Sequence, residues 1–382
     1  MFFLAQRIYL ARPSHGIQAT VNNGDNTENV NIGLEGLTIV IPSRNRHKYI
    51  QRALDYWTKT PVQLLILDGT EQPLKLDAAH ARNENVQYIH AVIPLEQRLG
   101  KATEYAKTEY VAVISDDEFF LSSSLSNCLN FLDHNPDYVA CKGLAVSFGW
   151  DRRRVHWKPI NKSLKGYNID GASRSDRMFQ HLSSYAHASM WSVQRREVFQ
   201  SAMKAVGSTP PFPSAPCAEL QVSLVTAFYG KIKVLDELMW LRSFENRSLW
   251  WKKASLSIRE WWRDSAYTED HKRFVDSVIA HATDTEGHSP TSAEIKAAME
   301  ALVLTAERTI QKASTKKRNN KMPAWYITLN GYVKTTLNNT IYRQNGYKGY
   351  SLLSHIETAS PEKLPEVTAI VEMISSFQRS HQ

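Results

Sequence analysis

Short apolar runs alternate with segments of helical periodicity in the N-terminal half of the chain. Leu37-Thr38-Ile39-Val40-Ile41 is β-branched almost throughout, and apolar residues then recur at helical spacing between positions 49 and 57. Three similar apolar runs follow at 62–67, 86–92 and 110–114, with a predicted helix over 95–108 before the last of them. This alternation predicts a parallel α/β sheet, and the continuous apolar character of the runs predicts strands that are buried on both faces.

The flanking segments have a different character. Residues 19–33 are rich in Asn, Gly, Asp and Thr, which is typical of loops. A helix is predicted from Glu219 to Gly230, a strand over 232–235, and mainly helices after about 250. We therefore predict an N-terminal extension (1–35), an α/β domain (36–248) and a helical C-terminal region (249–382) for acceptor, oligomer or membrane contact.

Acidic residues follow two of the predicted strands directly. Asp68 ends the second run, and Ser115-Asp116-Asp117-Glu118 follows the fourth. Ligands of parallel sheets bind beyond the carboxyl ends of the strands. Successive carboxylates beside a buried strand are costly unless they are solvated or neutralised, and a hard divalent cation would neutralise them. The alternative for each position is an ordinary polar turn.

The segment from Leu37 to Arg46 resembles the first strand and loop of nucleotide-sugar glycosyltransferases with the GT-A fold, of the family 2 kind. The resemblance implies a Rossmann-like mixed sheet flanked by helices. It implies nucleotide contacts at Pro42, Ser43, Arg44 and Asn45. Asp68, in Leu67-Asp68-Gly69-Thr70, matches the position that holds the nucleobase or ribose, although one acid of the family's Asp-Asp-Gly-Ser is missing.

Two further blocks resemble this family. The acidic triplet is similar to its metal-binding DxD motif in either of two registers, one using Asp117 and the other Asp116 with Glu118. We predict Asp117 and Glu118 as ligands of Mn²⁺ or Mg²⁺, and Asp116 as a substrate contact. Glu219, followed by Gly230-Lys231 and a strand, resembles the block that supplies the catalytic base, although the family more often has Asp there.

Arg98 and Lys101 precede the fourth strand in a region where family members often contact the nucleotide. Either side chain is predicted to pair with the diphosphate, Arg98 in bidentate fashion. The alternative is a solvated helix face. His181 and His187 are predicted to be structural.

Together these features predict a metal-dependent, inverting glycosyltransferase. It would move a sugar from a nucleoside-diphosphate sugar to a hydroxyl of a glycan or lipid-linked acceptor, in the synthesis of a surface polysaccharide or glycoconjugate. A retaining or inactive GT-A homologue is an alternative. A sugar nucleotidyltransferase is disfavoured because Pro-Ser-Arg-Asn-Arg contains no glycine for a triphosphate loop. A basic, aromatic-rich nucleic-acid-binding protein is the non-enzymatic alternative, but no motif of that class is visible, and we predict no nucleic-acid partner.

Composition bears on the cellular location of the protein and on the chemistry of its partners. The net charge of +8 favours anionic partners. The three cysteines are far apart and are predicted to be reduced and buried in a cytoplasmic protein. No apolar run approaches the roughly 20 residues of a membrane span. Aromatic and basic clusters predict peripheral contact with an anionic membrane at its inner face, namely Trp250-Trp251-Lys252-Lys253, Trp261-Trp262-Arg263 and Lys316-Lys317-Arg318.

Overall fold

A ten-stranded mixed sheet organises the protein. The computed structural model describes residues 33–150, 154–159, 162–245, 256–284, 286–319 and 361–381. Of the predicted N-terminal extension, residues 1–32 lie outside this described part, as do residues 250–253 and the side chains of 316–318.

The first half of the sheet is parallel. It consists of β1 (Leu37–Ser43), β2 (Gln63–Asp68), β3 (Val86–His90) and β4 (Tyr110–Val113), in the spatial order β3-β2-β1-β4. The apolar residues of β1, β2 and β4 are almost completely buried, as the continuous apolar runs predict. Ser43 pairs in register with Asp68, so the carboxyl ends of β1 and β2 coincide.

The second half of the sheet is mixed. It contains β5 (Phe119–Phe120), β6 (Tyr138–Trp150), β7 (Val155–Pro159), β8 (Asn168–Ile169), β9 (Val193–Arg195) and β10 (Lys231–Ser243). β9 runs antiparallel to both β4 and β6 and so joins the two halves. β10 is parallel to β6 and antiparallel to β5, with Trp240 opposite Phe120. This pairing brings the end of β10 beside the acidic residues that precede β5.

Helices flank the sheet and dominate the C-terminal region. They are α1 (His47–Trp57), α2 (Ala78–Ala81), α3 (Leu95–Tyr105), α4 (Ser122–His134), α5 (Arg174–Ser183), α6 (Arg196–Gly207), α7 (Cys217–Tyr229), α8 (Ile258–Arg263), α9 (Thr268–His281), α10 (Ser292–Asn319) and α11 (Leu364–Ser380). Among the helices that the structure describes, none combines the length and apolarity that a bilayer crossing requires.

The last described helix, α11, packs against the start of α4 and the sheet. Its residues Val367, Ile370 and Ile374 share an apolar cluster with side chains of β5, β6 and β10. Glu366 accepts hydrogen bonds from the backbone N–H groups of Ser122 and Ser123, and therefore caps α4 from a distant part of the chain.

The predicted class, a mixed sheet flanked by helices with a helical C-terminal region, is confirmed. Residues 143–215, whose pattern predicts no clear elements, contain β7 to β9, α5 and α6. All three cysteines are buried and free, as predicted. Trp261 is completely buried against Phe212 and Phe274, so this aromatic belongs to the core and not to a membrane-facing surface. The division of the chain at residue 248 stays a prediction.

Candidate active site

Three consecutive carboxylates are buried at the carboxyl end of β4. Asp116, Asp117 and Glu118 are 2%, 6% and 7% exposed. They lie between the apolar end of β4 and Phe119 of β5, and both flanking segments are anchored in the core. The turn therefore holds its charges inside the protein, where each must be compensated.

Side chains at the end of β1 and in the loop and helix that follow it supply this compensation. Arg46 Nη1 lies 3.2 Å from Asp116 Oδ1, and its Nη2 lies 2.5 Å from Asp117 Oδ2. Ser43 Oγ donates to Asp116 Oδ2 at 2.5 Å. Arg52 Nη2 donates to the carbonyl oxygen of Asp117 at 3.0 Å. The sequence analysis did not select Arg46, although its place in the loop after the first strand was the available signal.

Glu118 is directed towards β10 instead. Its Oε2 accepts a hydrogen bond from Trp240 Nε1 at 2.9 Å, and its Oε1 lies 4.0 Å from Arg242 Nε. Burial raises the pKa of Glu118 to about 8, with a further contribution from Asp117. Burial likewise raises the pKa of Asp116 to about 7, although Arg46 opposes the shift. A cation that displaced these protons would be bound more strongly as the pH rises.

The turn fits a hard divalent cation by its donor set. Carboxylate oxygens of Asp116 and Asp117 both approach the guanidinium of Arg46, so the two side chains already converge on one positive charge. Oxygen ligands of this kind suit Mg²⁺ and Mn²⁺. Glu118 fits less well, because one of its oxygens is bonded to the Trp240 indole.

Asp284, Glu286 and His288 form a separate group of metal-ligand side chains. Their ligand atoms lie within 4.8 Å of one another, and Arg174 pairs with Asp284. This group shares no residue with the predicted site.

Asp68 is fully buried at the end of β2 and its carboxylate has four donors. Thr70 N and Oγ1 donate to Oδ1 at 2.9 and 2.5 Å, Tyr88 Oη donates to Oδ2 at 2.7 Å, and His47 Nε2 lies 3.0 Å from Oδ2. Burial raises the pKa of Asp68, but the hydrogen bonds from Thr70 and Tyr88 outweigh it and hold the pKa below its usual value. A nucleobase or ribose donor would have to replace one of these groups, of which His47 is partly exposed.

The predicted nucleotide loop lies next to both acidic sites. Arg44 and Asn45 are exposed, and Pro42 is half-buried at the end of β1. Asn45 has φ 58°, a left-handed conformation that asparagine tolerates better than most residues. Its backbone N–H donates to Thr70 Oγ1 at 2.8 Å, which joins this loop to the Asp68 turn.

Arg98 and Lys101 have different environments on α3. Arg98 is buried and donates to the carbonyl oxygens of Ser43, Leu67 and Ile93, so in this structure it ties the ends of β1 and β2 together. Its guanidinium packs over Gly69, where a Cβ atom would lie 2.6 Å from Cζ. Lys101 is 40% exposed and lies 3.8 Å from Glu104, as on a solvated helix face.

Glu219 lies in the first turn of α7 and pairs with His187. His187 Nδ1 is 2.5 Å from Glu219 Oε1. Burial raises the pKa of Glu219, but hydrogen bonds from His187 and Tyr185 and the charge of Lys142 outweigh it, so the pKa lies below its usual value. Glu219 is therefore ionised at neutral pH and can act as a base or stabilise a cation.

A buried lysine connects this pair to the acidic turn. Lys142 Nζ donates to the carbonyl oxygen of His187 at 2.8 Å and lies 4.6 Å from the centre of the Trp240 ring. Trp240 in turn donates to Glu118. The sequence analysis missed Lys142, although a lysine inside the apolar run Tyr138–Val146 was the available signal, and it interpreted His187 as structural.

The parallel half of the sheet thus carries a buried acidic turn and a polar loop at its carboxyl edge, where ligands of such sheets bind. Residues 38–200 match the profile of the family Glycosyl transferase family 2. The match covers less than half of the chain, and over that part it shows similarity to family 2 glycosyltransferases, in agreement with the resemblance seen in the sequence.

The comparisons also found distant structural similarity. A search of curated proteins gave no significant match. Among solved structures, S. aureus TarS 1-349 is similar with a TM-score of 0.45 and 11% identity over 90% of each chain. The same protein in complex with UDP-GlcNAc gives 0.44 and 13% over 90% of this chain and 91% of the other, and its complex with UDP gives 0.45 and 14% over 76% of each.

Proposed function

We propose that this enzyme is a metal-dependent, inverting glycosyltransferase that transfers a sugar to a hydroxyl of a glycan or lipid-linked acceptor. The observation that supports this most directly is that the carboxylates of Asp116 and Asp117 converge on one positive group, the guanidinium of Arg46 in the loop that follows β1. Glu219, ionised and linked to the same turn through Lys142 and Trp240, supports the presence of a basic centre on the acceptor side.

The proposed donor site uses the carboxyl edge of the sheet. Pro42, Ser43, Arg44 and Asn45 would contact the nucleotide, and Asp68 would accept from the base or ribose once His47 yields its place. Asp117 is the principal proposed metal ligand, with Asp116 beside it. Glu118 remains a candidate ligand if its hydrogen bond with Trp240 is exchanged.

A bound divalent cation would stabilise the diphosphate leaving group as a Lewis acid. The residues of the chain would perform the remaining tasks. Arg46, displaced from the carboxylates by that cation, has the fork geometry to bind diphosphate oxygens. Arg98 would keep the ends of β1 and β2 fixed, because it already bonds to both strands. The Glu219 centre would deprotonate the acceptor hydroxyl.

The proposed setting is the synthesis of a surface polysaccharide or glycoconjugate in the cytoplasm. The net charge of +8 suits a lipid-linked diphosphate or an anionic membrane surface. Co-sedimentation with anionic and neutral vesicles at low and high salt tests the peripheral membrane contact. Equal absence of binding to both vesicle types at low salt would contradict it.

The test of donor and metal is a calorimetric titration of nucleoside diphosphates with and without Mn²⁺. We expect one nucleotide to bind, at least tenfold more tightly with metal, and Asp117→Ala to remove the metal effect. Asp133→Ala, which removes an exposed carboxylate from α4, is the matched control and should bind like the wild type. Metal-independent binding that survives Asp117→Ala would contradict the proposed metal site.

Stereochemistry requires a separate measurement on the product. Once a donor is found, the anomeric configuration of the transferred sugar can be determined by NMR at early times. We expect inversion, because one base and a single displacement suffice for it. Retention would contradict the inverting mechanism and leave the donor and metal sites unaffected.

A further inference from the structure

We propose that His187 is the catalytic base and that Glu219 acts through it as the positioning residue. This inference rests on the proposed function and deepens it, because it names the atom that receives the acceptor proton. It starts from the 2.5 Å contact between His187 Nδ1 and Glu219 Oε1.

The contact fixes which ring nitrogen is basic. An ionised carboxylate can only accept a hydrogen bond, so Nδ1 must carry the proton that it donates to Glu219. In neutral imidazole the other nitrogen, Nε2, then has the lone pair. Among the residues that the structure describes, none forms a hydrogen bond with this nitrogen, whereas Glu219 also bonds to Tyr185.

Exposure distinguishes the two members of the pair. The side chain of His187 is 42% exposed and that of Glu219 is 20% exposed. Tyr185 packs edge-on against the His187 ring at 5.4 Å between centroids and covers one side of the pair. The imidazole is therefore the member that an acceptor hydroxyl reaches first, with the carboxylate behind it.

The backbone at His187 is fixed with respect to the acidic turn. Lys142 Nζ donates to the His187 carbonyl oxygen at 2.8 Å and lies over the ring of Trp240, which donates to Glu118. These contacts run from the proposed donor site to the base through buried side chains. A base needs such fixed placement, because general catalysis demands hydrogen-bond reach to the reacting hydroxyl.

The step balances with the groups already named. The acceptor O–H bond breaks and its proton goes to His187 Nε2, while the acceptor oxygen forms a bond to the anomeric carbon. The bond between that carbon and the diphosphate oxygen breaks, and its electron pair leaves with the nucleoside diphosphate. Glu219 stabilises the imidazolium that results, which is the role of the carboxylate in other His–carboxylate pairs.

The test uses sugar conjugates of the nucleoside diphosphate that binds in the calorimetric titration, and it follows release of that nucleoside diphosphate. We expect His187→Ala to lower the turnover rate by about 10²- to 10⁴-fold, with nucleotide affinity within threefold of wild type. Added imidazole should restore part of the activity of His187→Ala but not that of Glu219→Gln. His134→Ala, which removes an exposed histidine from α4, is the matched control and should be fully active.

Each outcome separates the inference from the proposed function. His187→Ala or His187→Gln, folded by its melting temperature and turning over within threefold of wild type, would overturn the assignment of His187 and leave the transferase standing. Loss of turnover without rescue by imidazole would also overturn it, in favour of a structural role. If the wild type binds no nucleotide and turns over no donor, the proposed function falls and this inference with it.

Discussion

Removing the side chain of Glu245 should destabilise the protein strongly, because it leaves a buried guanidinium without its partner. Arg52 donates to both oxygens of Glu245, at 3.1 and 2.8 Å, and the two side chains are 1% and 0% exposed. Gln378 of α11 donates to the same carboxylate at 2.5 Å. Arg52 also donates to the carbonyl oxygen of Asp117, so the Arg52–Glu245 pair stabilises the acidic turn.

The magnitude follows from the burial of the pair. Breaking a buried ion pair by removing one partner costs about 3–5 kcal/mol. With an unfolding entropy of about 2.1 cal/mol/K per residue, a unit of about 350 residues loses roughly 1.4 °C of melting temperature per kcal/mol. Glu245→Ala should therefore lower the melting temperature by about 4–7 °C.

An exposed pair of the same geometry provides the control. Arg263 donates to both oxygens of Glu300, at 2.8 and 2.7 Å, but these side chains are 38% and 40% exposed. Removing an exposed partner typically costs at most about 1 kcal/mol. Differential scanning calorimetry of Glu245→Ala and Glu300→Ala compares them directly. Equal shifts for the two variants would refute the argument from burial.

Three further predictions concern other parts of the molecule. Glu366→Ala removes the cap of α4 and should cost about 1–2 kcal/mol, measured by urea unfolding; no change would show that water replaces the carboxylate. Burial lowers the pKa of Lys142 to about 7 from its ordinary 10.5. The penalty that this shift imposes on the free energy of folding is greatest below pH 7, where the amine is buried with its proton. The wild type should therefore gain stability relative to Lys142→Met as the pH rises from about 7 towards 10.5, and parallel stability curves would disprove this. Gly69→Ala places a Cβ atom 2.6 Å from Arg98 Cζ and should destabilise by about 1–3 kcal/mol; an unchanged melting temperature would mean that Arg98 moves freely.

The parallel half of the sheet could be predicted because its signal is local. The four apolar runs correspond to β1–β4. β1, β2 and β4 are buried, and strands buried on both faces need apolar residues at every position, whereas the edge strand β3 is half-buried or exposed and the prediction of burial is wrong for it. The acidic turn could be placed for the same reason, because it follows β4 directly in the chain. The sequence alone therefore places the acidic turn and the loop Pro42–Asn45 at the same edge of the sheet.

The remaining contacts could not be predicted because they join distant segments. Glu245 meets Arg52 across 193 residues, and Glu366 meets Ser122 across 244. No periodicity encodes such pairs. A single histidine in a sequence does not indicate its partner either. The pairing of His187 with Glu219 is evident only in the folded structure, where β6, β9 and α7 come together. Arg98 shows the converse, since its charge suggested a ligand contact and its hydrogen bonds are all with backbone carbonyls.

The arginines around the acidic turn differ in how easily each can be exchanged. Arg52 is held by a buried carboxylate and cannot leave without breaking that pair, and Arg242 lies 4.0 Å from Glu118, which is a weaker contact. Arg46 is 26% exposed, and its ion pairs end on the two carboxylates that converge. It therefore compensates charges that would otherwise be too costly to bury, on the side that solvent can reach. If a divalent cation binds to Asp116 and Asp117 as proposed, Arg46 is the group that it would replace, and the freed guanidinium would be available to bind a diphosphate.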